Sequence, residues 1–187
     1  MNFNCRVCGG NGYTRNDQLK HFFCNSCGVI FNSVEDFSIP PVKFKVIGTN
    51  GRAPEKNKHL DAGHDLFSAE AVEIDPGQTV MVKTNIAIEL PPVYEAQVRA
   101  RSGLAKKKGI QIANGPGTID CGYRNQVGIL LYNSSEDFFK VEIGDRIAQL
   151  VVKHTPQVVY EEVEELSDTD RGLTGFGDSG VSGSLEN

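Results

Sequence analysis

The chain has 187 residues, of which 39% are hydrophobic, and a formal net charge of -5. This length allows one well-packed domain and a small appendage, because domains usually have about 100–150 residues. The acidic balance argues against broad adhesion to nucleic acid or to an anionic membrane, which requires a basic surface. No run approaches the roughly 20 apolar residues of a membrane span, and the first residues do not resemble a signal peptide. We therefore expect a soluble, intracellular protein of the cytoplasm.

Four of the five cysteines form two Cys-x-x-Cys pairs near the start of the chain. The pairs are Cys5 with Cys8 and Cys24 with Cys27, and a glycine follows each pair. In a reducing compartment, two such pairs are typical of a structural Zn²⁺ site with four thiolate ligands rather than of disulfides. A single redox dithiol would not explain the duplication. We predict a zinc ribbon over residues 1–34, with a protein or nucleic-acid partner that the sequence leaves open.

A Pro-rich linker, residues 35–41, precedes a region in which apolar residues recur at every second position. This period dominates residues 42–160, where tight turns separate the apolar runs. The strand-like runs lie at residues 42–46, 86–90, 94–101, 127–132 and 147–152. Many short strands joined in this way predict a β-sandwich, jelly roll or barrel.

One short helix is predicted within this β-domain. Ser102 is a favourable N-terminal cap, the residues to Lys108 suit a helix, and Gly109 is a favourable stop. Beyond residue 160 the chain is acidic and then rich in glycine, which favours a flexible C-terminal arm over residues 161–187. The fold prediction is therefore all-β with one short helix, preceded by the ribbon and followed by the arm.

Five short motifs occur in order in the last two thirds of the chain. They are Ala62-Gly63-His64-Asp65-Leu66, Arg101-Ser102-Gly103-Leu104-Ala105, Gly117-Thr118-Ile119-Asp120-Cys121-Gly122-Tyr123-Arg124, Gly144-Asp145-Arg146-Ile147-Ala148-Gln149-Leu150 and Arg171-Gly172-Leu173-Thr174-Gly175-Phe176-Gly177. In type and order they resemble the motifs of the trimeric dUTP pyrophosphatase (dUTPase) family over roughly residues 42–180. Five ordered motifs are far more specific than any one of them.

The resemblance implies a jelly-roll-like subunit and a homotrimer whose active sites are shared between subunits. It implies Mg²⁺-assisted hydrolysis of dUTP at the α-phosphorus, which yields dUMP and pyrophosphate and keeps uracil out of DNA. Asp120 would be the general base that activates the attacking water, and Asp65 would support the Mg²⁺–triphosphate arrangement, partly through water. Ser102 and Gln149 would lie beside the phosphates. Alone, each of these would more often be an ordinary turn, cap or strand residue.

The resemblance assigns a second group of residues to substrate binding. Arg101 and Gly103 would hold phosphate together with the amides and positive dipole end of the helix. Asn114 and backbone groups of its hairpin, including Ile119, would read the uracil edge. Tyr123 would pack beneath the sugar and leave no room for a 2′-hydroxyl.

The C-terminal arm would complete the site when it orders over the ligand. Arg171 would bind the γ-phosphate, and Phe176, followed by Gly177, would stack on uracil. Phe176 could instead dock into a neighbouring subunit. The three lysines 106–108 are predicted to be a solvated helix face, with charge steering of the anionic substrate as the alternative. Asp145 is predicted to be a turn residue, with a salt bridge to Arg146 or Arg101 as the alternative.

Two other functions compete with dUTP hydrolysis. A dCTP deaminase of the same fold superfamily, or a bifunctional dCTP/dUTP enzyme, would release ammonia from dCTP. A zinc-ribbon binding or regulatory protein would keep the β-domain as an inactive scaffold. The second motif favours the pyrophosphatase over the deaminase, and the presence of Asp120, Ser102 and Gln149 argues against loss of activity.

Overall fold

The structure is a computed structural model that describes residues 5, 12–18, 21–26, 30–31, 41–156 and 158–173. These residues contain thirteen β-strands and one α-helix, which confirms the prediction of an all-β protein with one short helix. The chain divides into two compact units, residues 1–156 and 157–187. Among the described residues, no helix has the length and apolar character needed to cross a membrane.

Three short strands near the N-terminus form an antiparallel sheet in the order β1-β2-β3. They are β1 (Tyr13–Asn16), β2 (His21–Cys24) and β3 (Ile30–Phe31). Strands β1 and β2 pair as a hairpin, with Tyr13 opposite Cys24. The hairpin therefore carries a predicted zinc ligand at the end of its second strand.

The β-domain contains ten strands and the helix. They are β4 (Lys43–Val46), β5 (His64–Phe67), β6 (Val72–Ile74), β7 (Thr79–Glu89), β8 (Tyr94–Arg99), α1 (Ser102–Lys108), β9 (Ile110–Ile112), β10 (Gly117–Ile119), β11 (Gln126–Asn133), β12 (Phe139–Val141) and β13 (Arg146–His154). Two sheets have four strands, in the orders β10-β8-β13-β5 and β4-β7-β11-β9, and β12 pairs with β6. From β7 to β11 the chain alternates between the two larger sheets, so both must form around one core.

One hydrophobic core joins the two four-stranded sheets. Strand β8 contributes Ala96 and Val98, and β7 contributes Ile86 and Ile88, all of which are buried. Each fully buried isoleucine stabilises the fold by about 1.5–3 kcal/mol. The predicted period of two is therefore realised as a β-sandwich.

The apolar residues of strand β4 are more exposed than its alternating sequence suggests. The strand forms within the predicted run, but Phe44 and Val46 are 50% and 48% exposed in the single chain. Within the described ranges, strand β4 pairs only with β7 and lies at the edge of its sheet. An alternating pattern thus predicted the strand without determining how far its apolar face is covered.

Helix α1 has the predicted extent but not the predicted cap. It ends at Gly109, whose φ of 66° is left-handed. The prediction that Ser102 caps the helix is wrong: the cap is Arg101, with φ -83° and ψ 124°, and no side chain caps the helix. Ser102 is the first helical residue, and its hydroxyl has no hydrogen-bond partner within the described residues. That hydroxyl is therefore available to a ligand.

Candidate active site

Residues of the first, second and fourth motifs meet in one cavity of about 600 Å³, which we call the basic cleft. Its lining residues are Asn57, Asp61, Ala62, Gly63, Asp65, Arg101, Ser102, Gly103, Leu104, Lys107, Lys108, Arg146 and Gln149. The sheet brings them together because β13 lies between β5 and β8. Gln149 on β13 pairs with Asp65 on one side and with Arg99 on the other, two residues before Arg101.

Asp65 joins two arginines at the floor of the basic cleft. Its Oδ1 accepts a hydrogen bond from Arg101 Nε at 2.9 Å, and its Oδ2 accepts one from Arg146 Nη1 at 3.3 Å. Arg101 Nη1 also donates to the carbonyl oxygen of Arg146 at 3.0 Å. Only 14% of the Asp65 side chain is exposed. The carboxylate therefore holds both guanidinium groups in position and offsets part of their charge.

Sequence reasoning missed Arg146 as a cleft residue. Arg146 and Gln149 are three positions apart, so a regular strand would direct them to opposite faces of the sheet. The pairing of β13 with β5 shifts register between Arg146 and Ala148, which indicates a β-bulge. The bulge allows both side chains to line the same cleft.

Gly63 allows Gln149 to approach the chain closely. A Cβ atom at Gly63 would lie closer than 3.0 Å to Gln149 Oε1 and 3.1 Å from Gln149 Cδ. The Gln149 amide also donates from Nε2 to the carbonyl oxygen of Ala100 at 2.8 Å. The missing side chain at residue 63 and the Ala100 carbonyl together fix the orientation of this amide.

Helix α1 lines the basic cleft with residues near both of its ends. Ser102 and Gly103 lie at its start, and Lys107 and Lys108 follow near its end, whereas Lys106 does not line the cleft. The prediction that the three lysines are solvated is confirmed, since all three are exposed, and two of them also line the cleft. Asp145 is a turn residue as predicted, since its Oδ2 accepts a hydrogen bond from the Glu142 backbone amide at 2.9 Å.

The third motif forms a separate cavity of about 190 Å³, which we call the hairpin pocket. It is lined by Val98, Asn114, Gly117, Thr118, Ile119, Asp120, Tyr123, Gln126, Val127, Gly128 and Leu130. The Tyr123 hydroxyl donates to the Gln126 carbonyl oxygen at 2.9 Å, which holds the ring at the pocket. A Cβ at Gly117 would lie 3.2 Å from Asn114 Nδ2, so the amide rests against β10 at this glycine.

Asp120 follows β10 directly and lies in an exposed turn. Its carbonyl oxygen accepts a hydrogen bond from the Tyr123 backbone amide at 3.0 Å, which fixes the turn. Within the described residues, the Asp120 carboxylate makes no hydrogen bond or ion pair. A carboxylate held by its backbone but without a partner can accept a proton from a water molecule.

The basic cleft and the hairpin pocket share no lining residue among those that the structure describes. Within one chain, the proposed phosphate-binding residues and the proposed base-binding residues therefore belong to separate cavities.

The pKa of His64, which lies beside Asp65 on β5, is lowered from its usual value. Burial is the main cause that lowers its pKa, and the positive charge of Lys56 lowers it further. A hydrogen bond with the backbone of Leu150 opposes these effects on the pKa. The imidazole is therefore neutral near pH 7 and adds no cation to the site.

A family model for dUTPase matches residues 49–180, which is most of the chain and includes all five motifs. The chain belongs to the dUTPase family. The dUTPase-family prediction is thereby confirmed, and so is the prediction that the chain is an enzyme, a nucleotide hydrolase.

Relatives named as members of this family match about three quarters of the chain. The deoxyuridine 5'-triphosphate nucleotidohydrolase of Clostridium tetani is 48% identical over 139 residues, 74% of this chain and 96% of that protein. The protein of that name from Crocosphaera subtropica is 49% identical over 142 residues, 75% of this chain and 100% of its own length.

Solved structures of phage dUTPases have the same fold. The dUTPase of Staphylococcus bacteriophage 80alpha with dUpNHpp is 32% identical, with a TM-score of 0.72, and the match covers 76% of this chain and all of that chain. A mutant dUTPase from phage phi11 of S. aureus, described with a structural Mg(II) ion, is 27% identical with a TM-score of 0.65 over 69% of this chain and all of that one.

The cysteine pairs precede the dUTPase match, which begins at residue 49. Cys5 and Cys24 are buried and belong to one small cluster with Tyr13 and Phe22. The backbone amide of Ser26 donates to the Cys24 Sγ at 3.4 Å. The other two predicted zinc ligands, residues 8 and 27, lie outside the described residues. Within the described ranges, no three His, Cys, Asp or Glu residues are grouped so as to hold a metal ion.

The last dUTPase motif lies in the second compact unit. Arg171 precedes Gly172, whose amide donates to the Thr169 carbonyl oxygen at 2.9 Å in a turn. Phe176 and Gly177 lie outside the described residues.

Proposed function

We propose that this chain hydrolyses dUTP to dUMP and pyrophosphate by attack of a water molecule on the α-phosphorus, and thereby keeps uracil out of DNA. The observation that carries the proposal is the convergence of Asp65, Arg101, Ser102 and Gln149, from three motifs distant in sequence, on one cleft. The names of the relatives favour this reaction over dCTP deamination and over a purely regulatory role.

The basic cleft is suited to a polyphosphate. Arg101, held by Asp65, lines it with a positive charge, and the Ser102 hydroxyl has no competing partner among the described residues. The amide of Gln149 and the backbone amides around Gly103 add neutral donors. Donors fixed before the ligand arrives stabilise the developing negative charge without reorganisation during the reaction.

The hairpin pocket is suited to the nucleoside. We assign the uracil edge to Asn114 and to backbone groups near Ile119, which imitate a base-pairing edge. A cytosine there would leave buried polar groups unpaired, and such mismatches are costly. Tyr123, held through its hydroxyl, would pack beneath the deoxyribose and exclude a 2′-hydroxyl by steric contact.

We assign the role of general base to Asp120. Its carboxylate is exposed beside the hairpin pocket and has no partner within the described residues, so it can take the proton from the attacking water. Such a base contributes about 10²–10⁴-fold to the rate.

The donor set of the basic cleft fits a Mg²⁺ that is carried mainly by the triphosphate. Within the part of the chain that the structure describes, the carboxylates that line the cleft are Asp61 and Asp65, and both oxygens of Asp65 already accept hydrogen bonds from arginines. Mg²⁺ is usually held by one or two carboxylates, water and substrate phosphates, so Asp65 would contact it through water. When bound, Mg²⁺ would offset phosphate charge and orient the triphosphate.

We further propose a homotrimer in which subunits share active sites. Separate cavities for phosphate and base within one chain support this proposal, because a single nucleotide needs both. Arg171, Phe176 and Gly177 of the arm would complete the site over the γ-phosphate and uracil. The roles of these three residues are supported by the fifth motif alone.

For the N-terminal segment we propose a structural Zn²⁺ bound by Cys5, Cys8, Cys24 and Cys27. The joint burial of Cys5 and Cys24 supports this site, as does the amide hydrogen bond to Cys24, which stabilises a thiolate. A closed shell of four thiolates would contribute folding energy rather than catalysis. Elemental analysis of the full chain tests the site: one zinc per chain is expected, and Cys24→Ser but not Cys121→Ser should lose it.

The experiment that tests the function is a pyrophosphate-release assay over dUTP, dCTP, dTTP and UTP, with and without Mg²⁺, on the unmodified chain and on Asp120→Asn. We expect turnover of dUTP alone, and a loss of about 10²–10⁴-fold in Asp120→Asn with affinity for a non-hydrolysable dUTP analogue within about tenfold. Asp75→Asn, in an exposed turn outside both cavities, is the matched control. Near-normal turnover in Asp120→Asn, or ammonia release from dCTP, would contradict the proposal.

A further inference from the structure

Two of the three consecutive lysines of α1 face the basic cleft. The helix repeats every 3.6 residues, so Lys107 and Lys108 lie on the same face as Gly103 and Leu104, each four positions earlier. All four line the cleft, and Lys106 does not. Lys107 and Lys108 thus lie at the cleft, whereas Lys106 lies outside it.

The basic cleft contains positive charge that its carboxylates do not engage. Among the described residues, its charged lining comprises four cations, the two arginines and two lysines, and two carboxylates. Asp65 pairs with both arginines, and Asp61 Oδ2 accepts a hydrogen bond from the Lys58 backbone amide at 2.8 Å. Within the described residues, Lys107 and Lys108 form no ion pair. This cationic site lies on a chain with a net charge of -5.

We infer that Lys107 and Lys108 bind the terminal phosphates of the substrate and set the preference of the cleft for a triphosphate over a monophosphate. This inference rests on the proposed function. Ser102 and Lys108 lie six helical steps apart, which is about 9 Å along the axis. A chain of phosphates can extend through the cleft from Ser102 and Gly103 at the start of the helix to the two lysines near its end, because all four residues line the same cavity. A single phosphate spans less of that distance.

A purely structural role predicts a different pattern. All three lysines occupy the last turn of α1, where cations stabilise the negative end of the helix dipole. In that role the three lysines are equivalent. Contact with phosphate, in contrast, distinguishes Lys107 and Lys108 from Lys106 and leaves monophosphate binding unchanged.

The test is calorimetry on the full chain with Lys107→Gln, Lys108→Gln, the double variant and the matched control Lys106→Gln. The probes are a non-hydrolysable dUTP analogue with Mg²⁺, dUMP, and inorganic tripolyphosphate. Exposed ion pairs contribute about 0.2–1 kcal/mol, so each cleft lysine should weaken analogue binding by about 1.5- to 5-fold at low salt, and the double variant by about tenfold. The loss should shrink in about 1 M salt, where the Debye length is about 3 Å.

We expect dUMP affinity to stay unchanged in every variant, and Lys106→Gln to bind the analogue normally. Equal losses for all three lysines, or a loss of dUMP affinity as large as that for the analogue, would overturn the inference. Pyrophosphate release from dUTP by the unmodified chain is measured separately. Failure there would refute the proposed function, while tripolyphosphate binding would still decide whether the two cleft lysines hold phosphate.

Discussion

Gly63→Ala should reduce activity far more than stability. The new methyl group would overlap the Gln149 amide, whose Oε1 is closer than 3.0 Å to the position of the added Cβ. A glutamine amide is the end of a flexible side chain, so it can move away at little cost to the fold. The move breaks its hydrogen bond to the Ala100 carbonyl oxygen, now 2.8 Å long, and turns the amide from its orientation in the basic cleft.

General hydrogen-bond energies give the size of both effects. One hydrogen bond contributes about 0.5–1.5 kcal/mol to stability, so the Tm should fall by no more than about 6 °C. If the Gln149 amide donates to a phosphate oxygen in the transition state, its loss should cost about 1.5–3 kcal/mol, the range for a hydrogen bond to a charged group. That corresponds to about a 10- to 150-fold lower kcat/KM.

A double-mutant cycle isolates the cause. We would measure kcat/KM by pyrophosphate release for Gly63→Ala, Gln149→Ala and the combined variant, with thermal unfolding as the control for folding. If the added methyl acts by displacing Gln149, it has no further effect once that side chain is truncated. Multiplicative losses in the combined variant, or near-normal activity of Gly63→Ala, would refute this reasoning.

Three further outcomes follow from the same contacts. Asp65→Asn should lower the free energy of unfolding, measured by urea titration, by about 1–3 kcal/mol, a range between those for exposed and buried ion pairs. Asp61→Asn is the control, because Asp61 also lines the cleft but pairs with no arginine among the described residues, and it should leave stability unchanged. Because the folded state lowers the pKa of His64, the unfolded chain binds more protons, so stability should fall as the pH drops below about 6.5; His64→Gln should flatten that slope. Deleting the residues after Ser167 should depress turnover while sedimentation still reports a trimer, and loss of the trimer would contradict the role given to the arm.

The longer elements of the fold were predictable from sequence because they are long enough to show a regular alternation of apolar and polar residues. The runs at residues 86–90, 94–101, 127–132 and 147–152 all lie within or largely overlap observed strands, and the helix has its predicted extent. Strands such as β9 and β10 span only three residues, which is too short to display a period of two. Their positions depend on pairing with distant strands.

The site was predictable as a set of motifs but not as an arrangement. The bulge that allows Arg146 and Gln149 to line the same cleft arises from the pairing of β13 with β5. The sequence of β13 alone does not show it. Arg101 rather than Ser102 caps α1, since residue type alone favours serine and the local φ and ψ decide otherwise. The requirement for glycine at position 63 also arises from the folded structure, because Gln149 packs where a side chain at residue 63 would lie.

One measurement tests the central proposal most directly: turnover of dUTP by the full chain in ¹⁸O-labelled water, with the products separated and analysed by mass spectrometry. Attack of water at the α-phosphorus breaks the bond to the α,β-bridging oxygen, so one ¹⁸O should enter dUMP and none should enter pyrophosphate. Label in pyrophosphate, release of inorganic phosphate in place of pyrophosphate, or no turnover at all would contradict it.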